Sequence, residues 1–280
     1  MAIGCRAAVF SVLATGTLLA LAAPGAAADF PGAQVRGPAG ESFGAAAAVT
    51  DAVGVAAEVL RGIPDAADPG AVPSRTAISF RSIVPGIEWG TANEHEIRTG
   101  LSMVKLYMVD YALRRGDGSP SDRTLAERMI RDSDDGAAEL MAAKYPQAID
   151  AVAAEYRLTA TRAGANWGMS YTSTADLATF LHTKQRTDPE SPIFGWMAAA
   201  DATASDGTAQ DWGTGRLPGV IGTKWGWSDS GPQEVASASF GQGFAVAAHT
   251  RGTPDEQTAD VTGALTQMMI DLIARRIPRG

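Results

Sequence analysis

The feature that most constrains this chain is the run Leu101–Leu113, which holds Met103, Val104, Leu106, Tyr107, Met108, Val109, Tyr111 and Leu113. At a helical period these apolar residues lie on every side instead of forming one stripe, so a helix here must be covered all round. Such a helix demands other layers of structure on several sides. Arg114 and Arg115 suit the negative end of its dipole, and Gly116 suits the position just past it. Ser102 and Lys105 stand three apart at its start, on one face and one turn apart. A serine hydroxyl is a poor nucleophile until a base takes its proton. A lysine desolvated among apolar residues has a lowered pKa and can be that base. The plainer alternative is a helix-capping serine beside a lysine that snorkels to the surface.

The ends of the chain read differently from its middle. Residues 1–28 have the pattern of a secretory signal peptide: Arg6, an apolar stretch over Ala7–Ala23, then Ala26-Ala27-Ala28. A retained N-terminal anchor is the alternative. Residues 29–41, rich in Gly, Pro and Ala, read as a loose leader. Cleavage after residue 28 deletes Cys5, the only cysteine, and with it any disulfide, thiol nucleophile or Cys-ligated metal site. It also removes Arg6, leaving 22 basic against 31 acidic residues and a formal charge of −9. That acidity argues against a nucleic-acid partner and favours solubility outside the cell. The expectation is a secreted, extracytoplasmic protein of the cell envelope with no membrane span after processing.

A helix is predicted over 42–60 and a Pro/Asp/Gly linker over 63–75. Thr76–Val84 and Ile87–Thr91 read as strands around a Pro85-Gly86 turn. After the apolar helix come a polar turn over 117–123 and short helices at Leu125–Ile130, Ala137–Lys144 and Ile149–Tyr156. Thr174 is the expected cap of a helix reaching His182. Gly219–Trp227 and Val235–Thr250 read as two strands joined through Ser228–Pro232. Thr253, Pro254, Asp255 and Glu256 write out the start of a last helix, with Val261, Leu265, Met268, Met269, Leu272 and Ile273 as its apolar face. This order suits a sheet covered by a terminal helix, with a helical lobe inserted in the middle.

Three segments, in order, carry a resemblance: Ser102-Met103-Val104-Lys105, Ser133-Asp134-Asp135 and Lys224-Trp225-Gly226. They resemble the S-x-x-K, S-D-N and K-T-G triplet of the active-site serine penicillin-recognising superfamily, which includes class A β-lactamases and D,D-peptidases. The chain resembles a divergent, secreted member of actinobacterial type, over roughly residues 76–275. The resemblance implies an α+β, β-lactamase-like domain over 42–280: an antiparallel sheet flanked by N- and C-terminal helices (about 42–100 and 210–280), plus a reduced all-α lobe (about 101–209). It implies Ser102 as nucleophile, Lys105 as its base, Ser133 as proton relay and Lys224 as a positive charge facing the nucleophile. Asp134 would be structural, Asp135 would bind the substrate backbone, Trp225 and Trp227 would count among the substrate-binding positions, and Gly226 would let substrate lie along the strand edge. The backbone N–H groups of Trp227 and Ser102 would form an oxyanion hole. The implied substrate is a peptidoglycan-type peptide or a related small molecule, and no cofactor or metal is implied.

Three departures bear on activity. Asp135 replaces Asn, turning a donor-plus-acceptor into an acceptor only and adding a negative charge. Trp225 replaces a Thr whose hydroxyl, in the family, holds a substrate carboxylate; Ser228 and Ser230 are candidates to substitute. The stretch 157–171 holds no Asp or Glu, where class A enzymes carry the glutamate that activates water for deacylation. Efficient β-lactam turnover is therefore not expected.

Other chemistries find no support. No G-x-S-x-G occurs, His95-Glu96 is followed by Thr99 and not by a second histidine, and no phosphate-loop spacing is present. The tryptophans at 167, 196, 212, 225 and 227 either line a cleft or pack in the core. Two readings stand: a serine hydrolase, or a non-catalytic protein of the same fold that binds wall components or a protein partner.

Overall fold

The computed structural model describes residues 68–83 and 87–276. The signal peptide, the leader, the helix over 42–60 and the Pro85-Gly86 turn expected from the sequence lie outside these residues. The described part is α+β, built on a five-stranded antiparallel sheet. Its strands are β1 (Thr76–Ser82), β2 (Glu88–Gly90), β5 (Val220–Trp227), β6 (Val235–Gly241) and β7 (Phe244–Thr250), in spatial order β2-β1-β7-β6-β5. β3 (Arg98–Thr99) and β4 (Tyr171–Thr172) form a separate two-stranded pair.

The stretch Val235–Thr250 departs from its expected single strand. It is a hairpin, because Gly243 adopts φ +75 in the two-residue turn between Gly241 and Phe244. That left-handed backbone suits glycine and reverses the chain.

β1, β6 and β7 are buried on both faces, and their side chains alternate between two cores. Phe80, Phe244, Val246 and Ala248 face α7 (Pro254–Arg276), where Val261, Leu265, Met268 and Met269 are buried against them. Each of these side chains larger than alanine contributes about 1.5–3 kcal/mol of hydrophobic stabilisation. The start of α7 is a capping box: Glu256 N–H donates to Thr253 Oγ1 at 3.1 Å, and Thr253 N–H donates to Glu256 at 2.8 Å.

The opposite face presents Ala236, Ala238, Ala245 and Ala247. These small side chains let the helices approach closely. Against them pack α1 (Lys105–Arg115), entered through a 3-10 turn over Leu101–Val104, and α5 (Thr174–Thr187). α2 (Pro120–Arg131), α3 (Asp135–Lys144), α4 (Ala148–Tyr156) and α6 (Pro192–Ala198) complete the helical part. α2 begins inside the expected polar turn, because Ser119 caps it and Pro120 fits its first position. Ser173, not Thr174, caps α5, its hydroxyl accepting from Asp176 N–H at 3.1 Å. α6, opened by Pro192, was not expected from the sequence.

α1 is buried nearly all round, as its composition requires. Its one acidic side chain, Asp110, is fully buried and contacts Lys184 of α5 at 2.6 Å and Arg114 at 2.7 Å. Lys184 is equally buried. Removing one member of a buried pair strands the other's charge in a low dielectric. Asp110→Ala is expected to destabilise the protein by about 3–5 kcal/mol, measured by denaturant unfolding.

Candidate active site

Ser102 lies in the 3-10 turn that leads into α1, and Leu101 before it takes φ +49. A left-handed non-glycine residue stores strain and turns the chain sharply between β3 and the helix. Gly100 N–H donates to Ser170 O at 2.7 Å and anchors the turn. Lys105, one turn on, is fully buried, with its ammonium 3.0 Å from Ser102 Oγ. The same ammonium lies 2.6 Å from Ser133 O, 3.3 Å from Ser133 Oγ and 2.5 Å from Asp135 Oδ1, and stacks 4.8 Å from the centre of the Trp167 ring. Burial lowers its pKa, while the hydrogen bond and charge of Asp135 oppose that fall.

Ser133 sits between two helices, at φ +55. Asp134 holds it there by capping α3, its Oδ1 accepting from Ala137 N–H at 2.8 Å, while Arg128 of α2 pairs with its other oxygen. From the other side Lys224 of β5 donates to Ser133 Oγ at 2.7 Å and to Trp225 O at 2.9 Å. Lys224 is also fully buried. Burial, reinforced by the nearby charge of Lys105, pushes its pKa well down. Ser102, Lys105, Ser133 and Lys224, predicted from three separated segments, thus form one continuous polar chain.

β5 is the edge strand that borders this chain. A Cβ built on Gly226 would stand 2.9 Å from Ser102 N and 3.1 Å from the Leu101 Cβ. The glycine therefore lets the strand approach the turn that carries Ser102. Ser228 N–H pairs with Glu234 O at 3.0 Å. By antiparallel alternation the Trp227 N–H points the other way, to the open edge. Ser102 N–H sits in the first turn of its helix, where amides lack intrahelical partners.

A cleft of about 470 Å³ opens above Ser102. Ser102, Ser133, Asp135 and Trp227 line it, as do Ser228 and Ser230. Two sequence expectations change here. Trp225 is turned out of the cleft and packs edge-on against Trp212, its indole donating to Trp212 O at 2.9 Å, because its neighbours Lys224 and Gly226 occupy the opposite face of the strand. Asp135, expected to bind the substrate backbone, is also the ion-pair partner of Lys105. Trp167 takes a wall of the cleft from the stretch that lacks carboxylates, its indole tied to Glu139 Oε2 at 2.9 Å. Asp206, Asp229 and Glu234 also line the cleft and were missed. They come from loops and a strand end, and no motif marks them. Among the described residues no group of three or more His, Cys, Asp or Glu could hold a metal ion. Nor is any described helix long and apolar enough to cross a membrane.

The chain has a β-lactamase-like fold, shared with solved β-lactamases and penicillin-binding proteins. A β-lactamase from Chitinophaga pinensis matches 78% of this chain and 99% of its own, at 12% identity and a TM-score of 0.56. A variant of the reconstructed last common ancestor of Gram-negative class A β-lactamases matches 78% and 97%, at 16% identity and a TM-score of 0.54. Penicillin-Binding Protein D2 from Listeria monocytogenes, with cefotaxime bound, matches 69% and 96%, at 16% identity and a TM-score of 0.52. No protein-family profile and no curated protein matches the sequence.

Two outcomes follow from the geometry. Gly226→Ala is expected to push β5 from the Ser102 turn, costing about 1–3 kcal/mol of stability and Ser102 reactivity, read by unfolding and by adduct formation. Asp135→Asn removes the interactions that hold the Lys105 pKa up, so more of the amine is neutral at a given pH. The pH profile of Ser102 acylation is expected to move to lower pH in that variant.

Proposed function

We propose that this protein is an exported serine hydrolase that works through an acyl-enzyme on a peptide, peptidoglycan-like or related small-molecule substrate, without efficient β-lactam turnover. The observation that carries the reading is the 3.0 Å contact between Ser102 Oγ and the buried, pKa-lowered Lys105 amine. In the neutral form Lys105 takes the hydroxyl proton as Ser102 Oγ bonds to the substrate's carbonyl carbon. The oxyanion is received by the N–H groups of Ser102 and Trp227. As the carbon–leaving-group bond breaks, Ser133 hands the leaving group a proton, which is replenished from the lysines bonded to the Ser133 hydroxyl. Water then cleaves the ester and regenerates Ser102. The stretch 157–171 supplies no carboxylate to speed that last step, which supports a long-lived acyl-enzyme with penicillins.

A second reading, a binding protein without turnover, draws on the Lys105–Asp135 ion pair, which favours the charged amine over the base.

Intact mass of residues 29–280 after exposure to penicillins and an activated ester separates the two. A stable adduct, absent in Ser102→Ala, is the expected result. Rapid nitrocefin turnover would refute the slow-deacylation part, and no adduct with any probe would favour the binding protein.

A further inference from the structure

The cleft above Ser102 has a strong charge bias. Asp134, Asp135, Asp206, Asp229 and Glu234 line it, and no Lys, Arg or His does. Some of these charges are met: Asp134 by Arg128, Asp135 by Lys105, and Glu234, more loosely, by Arg251 at 3.8 Å. Asp206 is held only by neutral donors, the Thr208 N–H at 2.8 Å and the Trp227 indole at 3.1 Å. Asp229 has no ion pair among the described residues, and its pKa is raised by burial and by the charges of Asp135 and Asp206. Those two carboxylates, which line the same cleft, therefore disfavour a charged Asp229. The cations nearby are withdrawn: Lys105 and Lys224 are fully buried, their ammonium groups committed to Ser133, Asp135 and Trp225 O. No cation is exposed in the cleft to pair with a carboxylate, which leaves only neutral donors such as the Ser228 and Ser230 hydroxyls. Trp227, tied to Asp206, adds a π-face beside these acids, the surroundings that bind an ammonium.

We propose that the cleft selects acyl donors whose acyl part carries a positive charge, a primary or quaternary ammonium, and discriminates against donors whose acyl chain itself ends in a carboxylate, as distinct from a carboxylate on the leaving-group side. The proposal rests on the serine-hydrolase reading above. The acidic residues are not a site alone; they matter because they line the same cleft as Ser102. The chemical step is unchanged: the acyl carbon bonds to Ser102 Oγ, the leaving group departs with a proton, and the ammonium, spectator to both, stays on the acyl chain between Asp229, Asp206 and Trp227.

The test uses three p-nitrophenyl esters of similar size: 4-trimethylammoniobutanoate, 5,5-dimethylhexanoate and hemiglutarate. Nitrophenolate release is followed with the protein and with Ser102→Ala. The expected order of Ser102-dependent kcat/KM is cationic, then neutral, then anionic, spanning about tenfold or more at low salt. The span should shrink at high salt and in Asp229→Asn. Equal rates, or a faster anionic ester, would overturn the charge proposal while leaving the serine chemistry standing. Should no ester react through Ser102, the hydrolase reading fails, and binding decides the charge question. Tryptophan fluorescence of Ser102→Ala is then titrated with 4-trimethylammoniobutyranilide and with glutaranilic acid. Tighter binding of the cation supports the selectivity, and equal or reversed binding overturns it.

Discussion

The desolvation of Lys105 is the constraint on which the rest of the site depends. An ammonium with no exposure to water must be met by protein groups or lose its proton. Four neighbours meet it here: the Ser102 and Ser133 oxygens, the Asp135 carboxylate and the Trp167 ring. They come from α1's own entry turn, the α2–α3 junction, the start of α3 and the 157–171 stretch. The lysine thus ties four segments together. Its protonation is balanced between burial, which favours the neutral base, and Asp135, which favours the cation.

That balance requires rigid surroundings, and the fold supplies them at some energetic cost. Ser133 is held at a positive φ by the Asp134 cap and the Arg128 ion pair, and Leu101 is held at another positive φ by the packing of the Ser102 turn on β5. Strain of this kind costs on the order of 1–3 kcal/mol per residue and persists only where neighbours over-determine the backbone. The alanine-rich face of β6 and β7 lets the α1–α5 layer sit close to the sheet, and the buried Asp110–Lys184 pair links those two helices. The two buried lysines then converge on Ser133 from opposite sides.

Charge sets a second theme. The overall acidity of the chain, which favours solubility, has a local expression in the cleft that Ser102 lines. Asp135 and Trp225, which looked like separate losses of substrate contacts, acquire a joint meaning: the one adds a carboxylate to the site and the other withdraws a side chain from it into packing against Trp212. The lining of this cleft thus presents carboxylates and hydroxyls but no Lys, Arg or His.

Much of this was legible in the chain itself. The all-round apolar pattern of Leu101–Leu113 dictated a buried helix, and Ser102 and Lys105 three apart on it had to share a face, since helical geometry is local. The capping residues of α7 and the alternation along β1 follow from equally local rules. Tertiary structure alone decided the remainder. The split of Val235–Thr250 into a hairpin turned on one glycine's backbone angle, and α6 took shape against β5. Strand alternation turned Trp225 away from the cleft; Trp227, on the same face of β5 and also against Trp212, borders the cleft where the strand ends. Asp206, Asp229 and Glu234 carry no motif, because loop carboxylates acquire a role only from what the fold brings opposite them. Local periodicity determines which residues share a face; which faces meet, and hence which charges surround the serine, depends on contacts between segments far apart in the chain.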